Sequence, residues 1–239
     1  MDWIETLHAL DEKVLLFFNS WNNSFFDDFM VSATHKFTWI PFYVSLLVFL
    51  VYRQGWRKSL VWVVAIALTV ALADMITSQL IRPLVGRWRP TAEENPISEI
   101  VHMAGGFRRG GFGFPSCHAS NSMALATIIF LSVRSLEIRV LMVSWAILHS
   151  YTRLYLAVHY PGDLLAGALI GILVGAVVYL GVRKLQQNWK FLQKGNPELD
   201  PSNAETQSDG TMVIGGKFKF NMSLLPISVF LITLLVASF

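Results

Sequence analysis

Apolar residues run through this chain in long blocks broken by short polar clusters. Crossing the roughly 30 Å hydrocarbon of a bilayer takes about 20 mostly apolar residues in an α-helix. Blocks at roughly 37–53, 59–80, 119–133, 139–157 and 163–182 meet that need, and a sixth at 221–239 is just long enough. Lipid offers the backbone no hydrogen-bond partner, so each block is predicted as a helix. None shows the alternation of a barrel strand.

Two stretches depart from this pattern. In residues 3–21 the apolar positions Trp3, Ile4, Leu7, Leu10, Val14, Phe17, Phe18 and Trp21 fall three and four apart, with Asp11, Glu12 and Lys13 between them. That spacing predicts an amphipathic helix lying in the membrane interface, or one packed against the bundle, and no site residue is assigned to it. Residues 194–216 are polar and turn-rich, and predict a flexible linker. The chain divides accordingly into an N-terminal interfacial segment (1–36), a transmembrane core (37–185), a polar cytoplasmic linker (186–220) and a C-terminal span (221–239). The predicted fold class is all-α, a polytopic transmembrane helical bundle of five to six spans.

Composition strengthens the membrane reading. The chain is 54% hydrophobic and only 15% charged, against about 25% charged in an average soluble domain. A soluble surface cannot be covered at that charge density. The net charge of +3 comes without a Lys/Arg run suited to nucleic acid, and the single cysteine excludes an internal disulfide and a Cys-rich metal site. No basic start followed by a compact apolar core marks a cleavable signal peptide. Arg53, Arg57 and Lys58, then Arg134 and Arg139, then Arg183 and Lys184, share one side if the spans alternate, and that side is predicted to be cytoplasmic. The loop at 81–118 and the turn at 158–162 then share the outer face. The 81–118 loop is itself rich in arginine, which calls for a separate explanation.

That explanation lies in three polar clusters at span ends: Arg82 to Pro90, Phe114 to His118, and Arg153 with His159 and Asp163. Ionisable groups at a membrane span are expensive and mark function by default. Guanidinium groups about 4 Å apart repel by roughly 4 kcal/mol at an effective dielectric near 20, so converging arginines need an anion between them. Arginine's planar fork suits phosphate. Ser116 and the free N–H groups of a helix N-terminus add donors. The same positive field repels a divalent metal, so the histidines read as catalytic groups, with no metal and no cofactor. Asp163, four residues after His159, can accept a proton from one imidazole nitrogen and leave the other as a nucleophile. His118 can protonate a leaving oxygen.

At these residues the chain resembles the type 2 phosphatidic acid phosphatase family. Arg82-x6-Arg89-Pro90 matches its first motif, with arginine for the more usual lysine. Pro115-Ser116-Cys117-His118 matches the second, with cysteine for glycine, and Thr152-Arg153-x5-His159-x3-Asp163 matches the third, with threonine for serine. The resemblance implies a helical bundle hydrolysing lipid phosphates or diphosphates. It implies His159 as nucleophile, Asp163 orienting it, His118 as general acid, and Arg82, Arg89, Ser116 and Arg153 holding the phosphate. Were position 117 left-handed, a non-glycine residue there would cost roughly 1–2 kcal/mol.

Several residues carry two readings. Asp74, on one helical face with Ser78 and Arg82, either steadies Arg82 or pairs within the bundle. Arg87, Arg108 and Arg109 meet a lipid head group or the anionic membrane surface. The glycines between 105 and 113 form a lid or a plain loop. His149 reads as core packing, and the glycines at 167, 171 and 175 as close helix packing. Asp74, Arg87 and Cys117 are the supporting candidates. The predicted activity is metal-independent hydrolysis of a membrane lipid phosphate at the outer face of a bacterial inner membrane. Undecaprenyl diphosphate, lipid A and glycerophospholipid phosphates all fit. The alternatives are a phosphotransferase of the same superfamily and a non-catalytic phospholipid-binding or transport protein.

Overall fold

The computed structural model describes residues 3–188, 211–214 and 218–238. Helix α1 (Trp3–Asn19) and α2 (Ser24–Thr34) precede α3 (Ile40–Asp74), which Gly55 divides into arms 40–54 and 56–74. Gly55 has φ 74°, a left-handed conformation suited to glycine, and it turns the chain between the first two predicted spans. A π-helical turn, Met75–Ile81, leads into α4 (Arg82–Val85). Then come α5 (Cys117–Ser132), α6 (Leu136–Tyr155) and α7 (Pro161–Asn188). Strands β1 (Thr211–Ile214) and β2 (Phe218–Asn221) pair antiparallel, with Thr211 opposite Asn221, before α8 (Leu224–Ala237).

The helices follow the predicted blocks closely, so the all-helical bundle stands, with the small ribbon as its one pair of strands among the described residues. Part of the expected linker is therefore paired strand; its residues 189–210 and 215–217 lie outside the described residues. Two helical stretches, Lys36–Val85 and Pro161–Gln187, are long and apolar enough to cross a bilayer. Helix α8 has 14 residues, a rise of about 21 Å at 1.5 Å each.

Helix α7 shows how the bundle is assembled. Leu165, Leu169, Leu173, Val177 and Leu180 recur every three or four residues and are exposed. Leaving such a stripe in water forfeits about 25 cal/mol per Å²; facing lipid it costs nothing. On the opposite face Gly167, Gly171 and Gly175 lie against α5, where a Cβ at Gly167 would overlap the Ser116 carbonyl and one at Gly171 the Ser120 carbonyl. These glycines serve close helix packing, and they fix the start of α5 against the start of α7. The main core is built around Trp39, Phe42, Phe49 and Trp145, with Phe230 of α8 stacked 5.7 Å from Trp39.

Helix α1 packs on the bundle through Leu15, which is fully buried against Leu154 and Tyr160. Its Trp3, Ile4, Leu7, Leu10 and Phe17 remain exposed. The N-terminal segment is also stitched to the loop at 102 and the end of α6 by polar contacts. Asn19 Nδ2 donates to the carbonyls of His102 and Tyr155, and the Tyr155 hydroxyl donates to Asp27.

Candidate active site

The three sequence clusters meet at one end of the bundle, tied pairwise through backbone groups. Arg82 donates from Nη2 to the Pro115 carbonyl at 2.9 Å, joining the first cluster to the second. Arg89 donates from Nη1 to the Val158 carbonyl at 3.1 Å, joining the first to the third. The Ser116 N–H donates to the Asp163 carbonyl at 3.0 Å, joining the second to the third.

His159 reaches the site through the end of α6. The Val158 N–H returns to the Arg153 carbonyl and the Ala157 N–H to the Leu154 carbonyl. That pair of bonds is a Schellman cap, whose left-handed residue is Ala157 at φ 51° where glycine is usual. The cap stops the helix and turns the next residues inward, and His159 is 1% exposed.

The two ring nitrogens of His159 are distinguishable. Nε2 lies 2.7 Å from Arg89 Nη1, and a guanidinium can only donate, so Nε2 carries the lone pair. Nδ1 then bears the proton and points at Asp163 Oδ2, 3.4 Å away; that oxygen also accepts the Tyr160 N–H at 3.0 Å. Burial, then the charges of Arg89 and Arg153, hold the His159 pKa well below the ordinary histidine value. The lone pair is thus free of a proton at neutral pH. Burial first, then the guanidinium groups of Arg82 and Arg109, pull Arg89 down to about 10. Gly113 lets the loop close on this group: a Cβ there would stand 3.0 Å from Asp163 Oδ2 and 3.2 Å from Arg89 Cγ. The loop is anchored as well, since Gly113 N–H donates to Arg87 O and Arg89 N–H to Gly111 O.

A cavity of about 740 Å³ opens from this end into the bundle. Arg82, Arg89, Arg109, His118 and His159 line its charged end, and Tyr43, Leu46, Leu50, Val63, Ile66, Leu125 and Ile129 its apolar wall. His118 stacks on His149, with ring centroids 5.5 Å apart, and His149 packs in turn on Trp145. His149 therefore reaches the site as the support of His118, beyond the core packing expected of it.

Other expected residues occupy different places from those their sequence positions suggested. Ser116 is fully buried as the N-cap of α5, its Oγ accepting from the Ala119 N–H, and does not line the cavity. Arg153 is also buried behind the cavity, with Nη1 donating to Thr34 Oγ1 at 2.6 Å. Its Nε and Nη2, like Arg82 Nε, are buried without a partner among the described residues. A buried unpaired donor costs about 1–3 kcal/mol, more when charged, so these nitrogens give a nearby anion unmet donors to satisfy.

Asp74 does not reach Arg82. The π-turn at Met75–Ile81 changes the number of residues per turn, which breaks the shared face expected of an α-helix. Asp74 instead accepts from Asn121 Nδ2 and Ser78 Oγ, both at 3.2 Å, the pairing within the bundle. Cys117 is the first residue of α5 and is absent from the left-handed non-glycine positions, so the condition for strain is not met. Its Sγ accepts from Arg82 Nη2 at 2.7 Å. Arg108 pairs with the exposed Glu93, while Arg109 lines the cavity. Sequence reasoning assigned no site role to Thr34 or Asp11, because Thr34 lies 119 residues from Arg153, and Asp11 lies 76 from Arg87 and 151 from Gly162.

Charged donors, a lone-pair imidazole and a lipid-sized apolar wall define a membrane enzyme acting on phosphorylated lipid. Residues 62–187, just over half of the chain, match the PAP2 superfamily, and the protein belongs to it. It is 48% identical over 182 residues to a lipid A 4'-phosphatase of Bacteroides thetaiotaomicron, covering 76% of this chain and 81% of that protein. The crystal structure of Aquifex aeolicus LpxE superposes with a TM-score of 0.52 at 25% identity, over 70% of this chain and 92% of that one. The fold is also that of a transmembrane PAP2 type phosphatidylglycerolphosphate phosphatase from Bacillus subtilis, with a TM-score of 0.57 at 20% identity, over 77% and 90% of the two chains. The protein is accordingly a lipid phosphatase, and an integral membrane protein.

Proposed function

We propose that this enzyme removes a phosphate from lipid A through a phosphohistidine, at a site facing the outer side of a bacterial inner membrane. The observation that carries the reading is the cavity, which joins a ring of guanidinium groups to an apolar wall in one continuous volume. A phosphorylated lipid fills both parts, with its phosphate among Arg82, Arg89 and Arg109 and an acyl chain along α3. Arg153 and the capped N-terminus of α5 at Ser116 add positive potential from behind. The 48% identity to a lipid A 4'-phosphatase favours lipid A over the other lipid phosphates. In this reading the core of 37–185 crosses the membrane five times and α8 adds a sixth span.

The chemistry is two displacements at phosphorus. His159 Nε2 attacks, the phosphorus–oxygen bond to the lipid breaks, and His118 gives its proton to the departing alkoxide. Asp163 holds the proton on Nδ1 and stabilises the charge that the ring gains. Water then attacks the phosphohistidine, His118 takes back a proton, and phosphate leaves. Arginine charge serves the transition state, so the reaction is expected to run without a divalent ion.

Purified enzyme in detergent, given lipid A, undecaprenyl diphosphate and phosphatidate in the presence of EDTA, tests the reading. Lipid A is expected to show the highest kcat/KM, by about tenfold or more, which is about 1.4 kcal/mol of transition-state preference. Preference for another lipid would reassign the substrate, and activity lost to EDTA and restored only by a divalent ion would overturn the charge argument. Release of free phosphate without any added acceptor separates hydrolysis from transfer.

A further inference from the structure

Asp11 lies on the amphipathic α1, outside every motif, yet it makes the contact that closes the site. Its two carboxylate oxygens are divided. Oδ2 accepts from Arg87 Nη1 at 2.7 Å, and Oδ1 accepts from the Gly162 N–H at 2.8 Å. Arg87 Nη1 also reaches Asp163 Oδ1 at 3.1 Å. Asp163 is divided in the same way, its other oxygen facing His159 Nδ1. The result is a closed ring: Asp11 to Arg87, Arg87 to Asp163, and back along the backbone to Gly162. Arg87 is fixed in this ring by the face of Tyr160, 4.0 Å from its guanidinium carbon.

An independent feature shows that the approach of Asp11 is built into the fold. A Cβ at position 162 would stand 2.6 Å from Asp11 Oδ2, so only glycine admits the carboxylate there. All three charged groups are largely shielded: Arg87 and Asp11 side chains are 17% and 18% exposed and Asp163 is fully buried. Shielded charges at these distances interact strongly. A guanidinium facing one carboxylate would draw in Asp163 alone. Shared between two, it leaves more of the Asp163 charge for the proton on His159 Nδ1.

We propose that Asp11 is a positioning residue for the phosphatase reaction, which makes α1 a working part of the site. It acts through Arg87 and the start of α7 to aim Asp163 at His159. The inference rests on the reading of His159 as nucleophile. Outer-shell partners that orient metal-bound histidines typically change affinity or activity by about 10–100-fold when removed, and the lower end of that range is taken for a carboxylate that orients Asp163 through Arg87.

The test is a double-mutant cycle on the full-length enzyme in detergent, with lipid phosphate turnover and acid-quench trapping of phosphoenzyme. Asp11→Asn is expected to lower kcat about tenfold with KM within about twofold. Asp11→Glu should restore the rate to within about threefold, because it keeps the charge. In an Arg87→Ala background, Asp11→Asn should add less than about twofold, since its effect travels through Arg87. Gly162→Ala gives a second route, because its methyl displaces the carboxylate, and it should lower kcat similarly without compounding Asp11→Asn. A helix that is merely docked through Asp11 would instead lower thermal stability and leave kcat of the folded fraction unchanged. Wild-type kcat in folded Asp11→Asn and Gly162→Ala, or full additivity with Arg87→Ala, overturns the proposal. Wild-type turnover without trapped phosphoenzyme would sink the phosphohistidine reading, and the kcat comparison would still decide the role of Asp11.

Discussion

Of the histidines that line the cavity, His159 and His118 share one environment and are held in opposite ways. His159 is clamped at both ring nitrogens, by Arg89 at Nε2 and toward Asp163 at Nδ1. His118 stacks face to face on His149 and makes no hydrogen bond to another described residue. A nucleophile benefits from the first arrangement, because its lone pair must stay aimed and unprotonated. A proton carrier benefits from the second, because it must change partners between the lipid oxygen and water during one cycle. The contrast fits the roles proposed for them, a fixed nucleophile and an exchanging acid within a single pocket.

The sharpest way to break that contrast is to delete the fixed group. His159→Ala should form no phosphoenzyme and lose more than about 10⁴ in kcat, as removal of a covalent nucleophile does. Label still trapped in that variant, and absent from His118→Ala, would exchange the two roles. The low pKa of His159 sharpens the same point. Its depressed value keeps the neutral form, so the contribution of this group is lost as pH falls through that value, and the acid limb of kcat/KM should lie below pH 6.5, the ordinary histidine value. An acid limb at or above the ordinary value would show that the titrating group is not a buried His159.

Removing the exchanging group should have a smaller and more selective effect. His118→Ala is expected to cost about 10²–10⁴ with a lipid alkoxide as leaving group. An aryl phosphate, whose leaving oxygen needs little help from a proton, should recover most of that loss. An equal penalty for both substrates would place His118 outside proton transfer.

The smallest effect is expected at Cys117, which lies between Ser116 and His118 in the second motif. Cys117→Gly removes an acceptor from Arg82, while the Pro115 carbonyl retains its bond. Turnover should stay within about threefold of the parent, with slight loss of stability from glycine at the start of α5. A larger drop in turnover would mean that the thiol holds Arg82 for the phosphate.

The chain's own residues determined the helices and most of the site. Apolar blocks long enough to cross lipid read as helices, because only a helix or a closed barrel satisfies a backbone there and no block alternates like a barrel strand, and Gly55 falls where two blocks meet. Three clusters with fixed internal spacing located Arg82, Arg89, His118, His159 and Asp163; Asp163 lies in the first turn of α7, and its Oδ2 accepts the N–H of Tyr160, the residue next to His159. Tertiary structure alone decided the rest. The π-turn after Asp74 sends it to Asn121 and away from Arg82, and helical periodicity counted along the chain assumes no such turn. Ser116 and Arg153 lie behind the cavity while Arg109 lines it, a distinction made by depth, which linear order does not record. Asp11 meets Arg87 across 76 residues and Gly162 across 151. Local spacing is dictated by bonded geometry and can be read directly. Contacts between distant segments depend on how the helices pack, and they exist only once the bundle has closed.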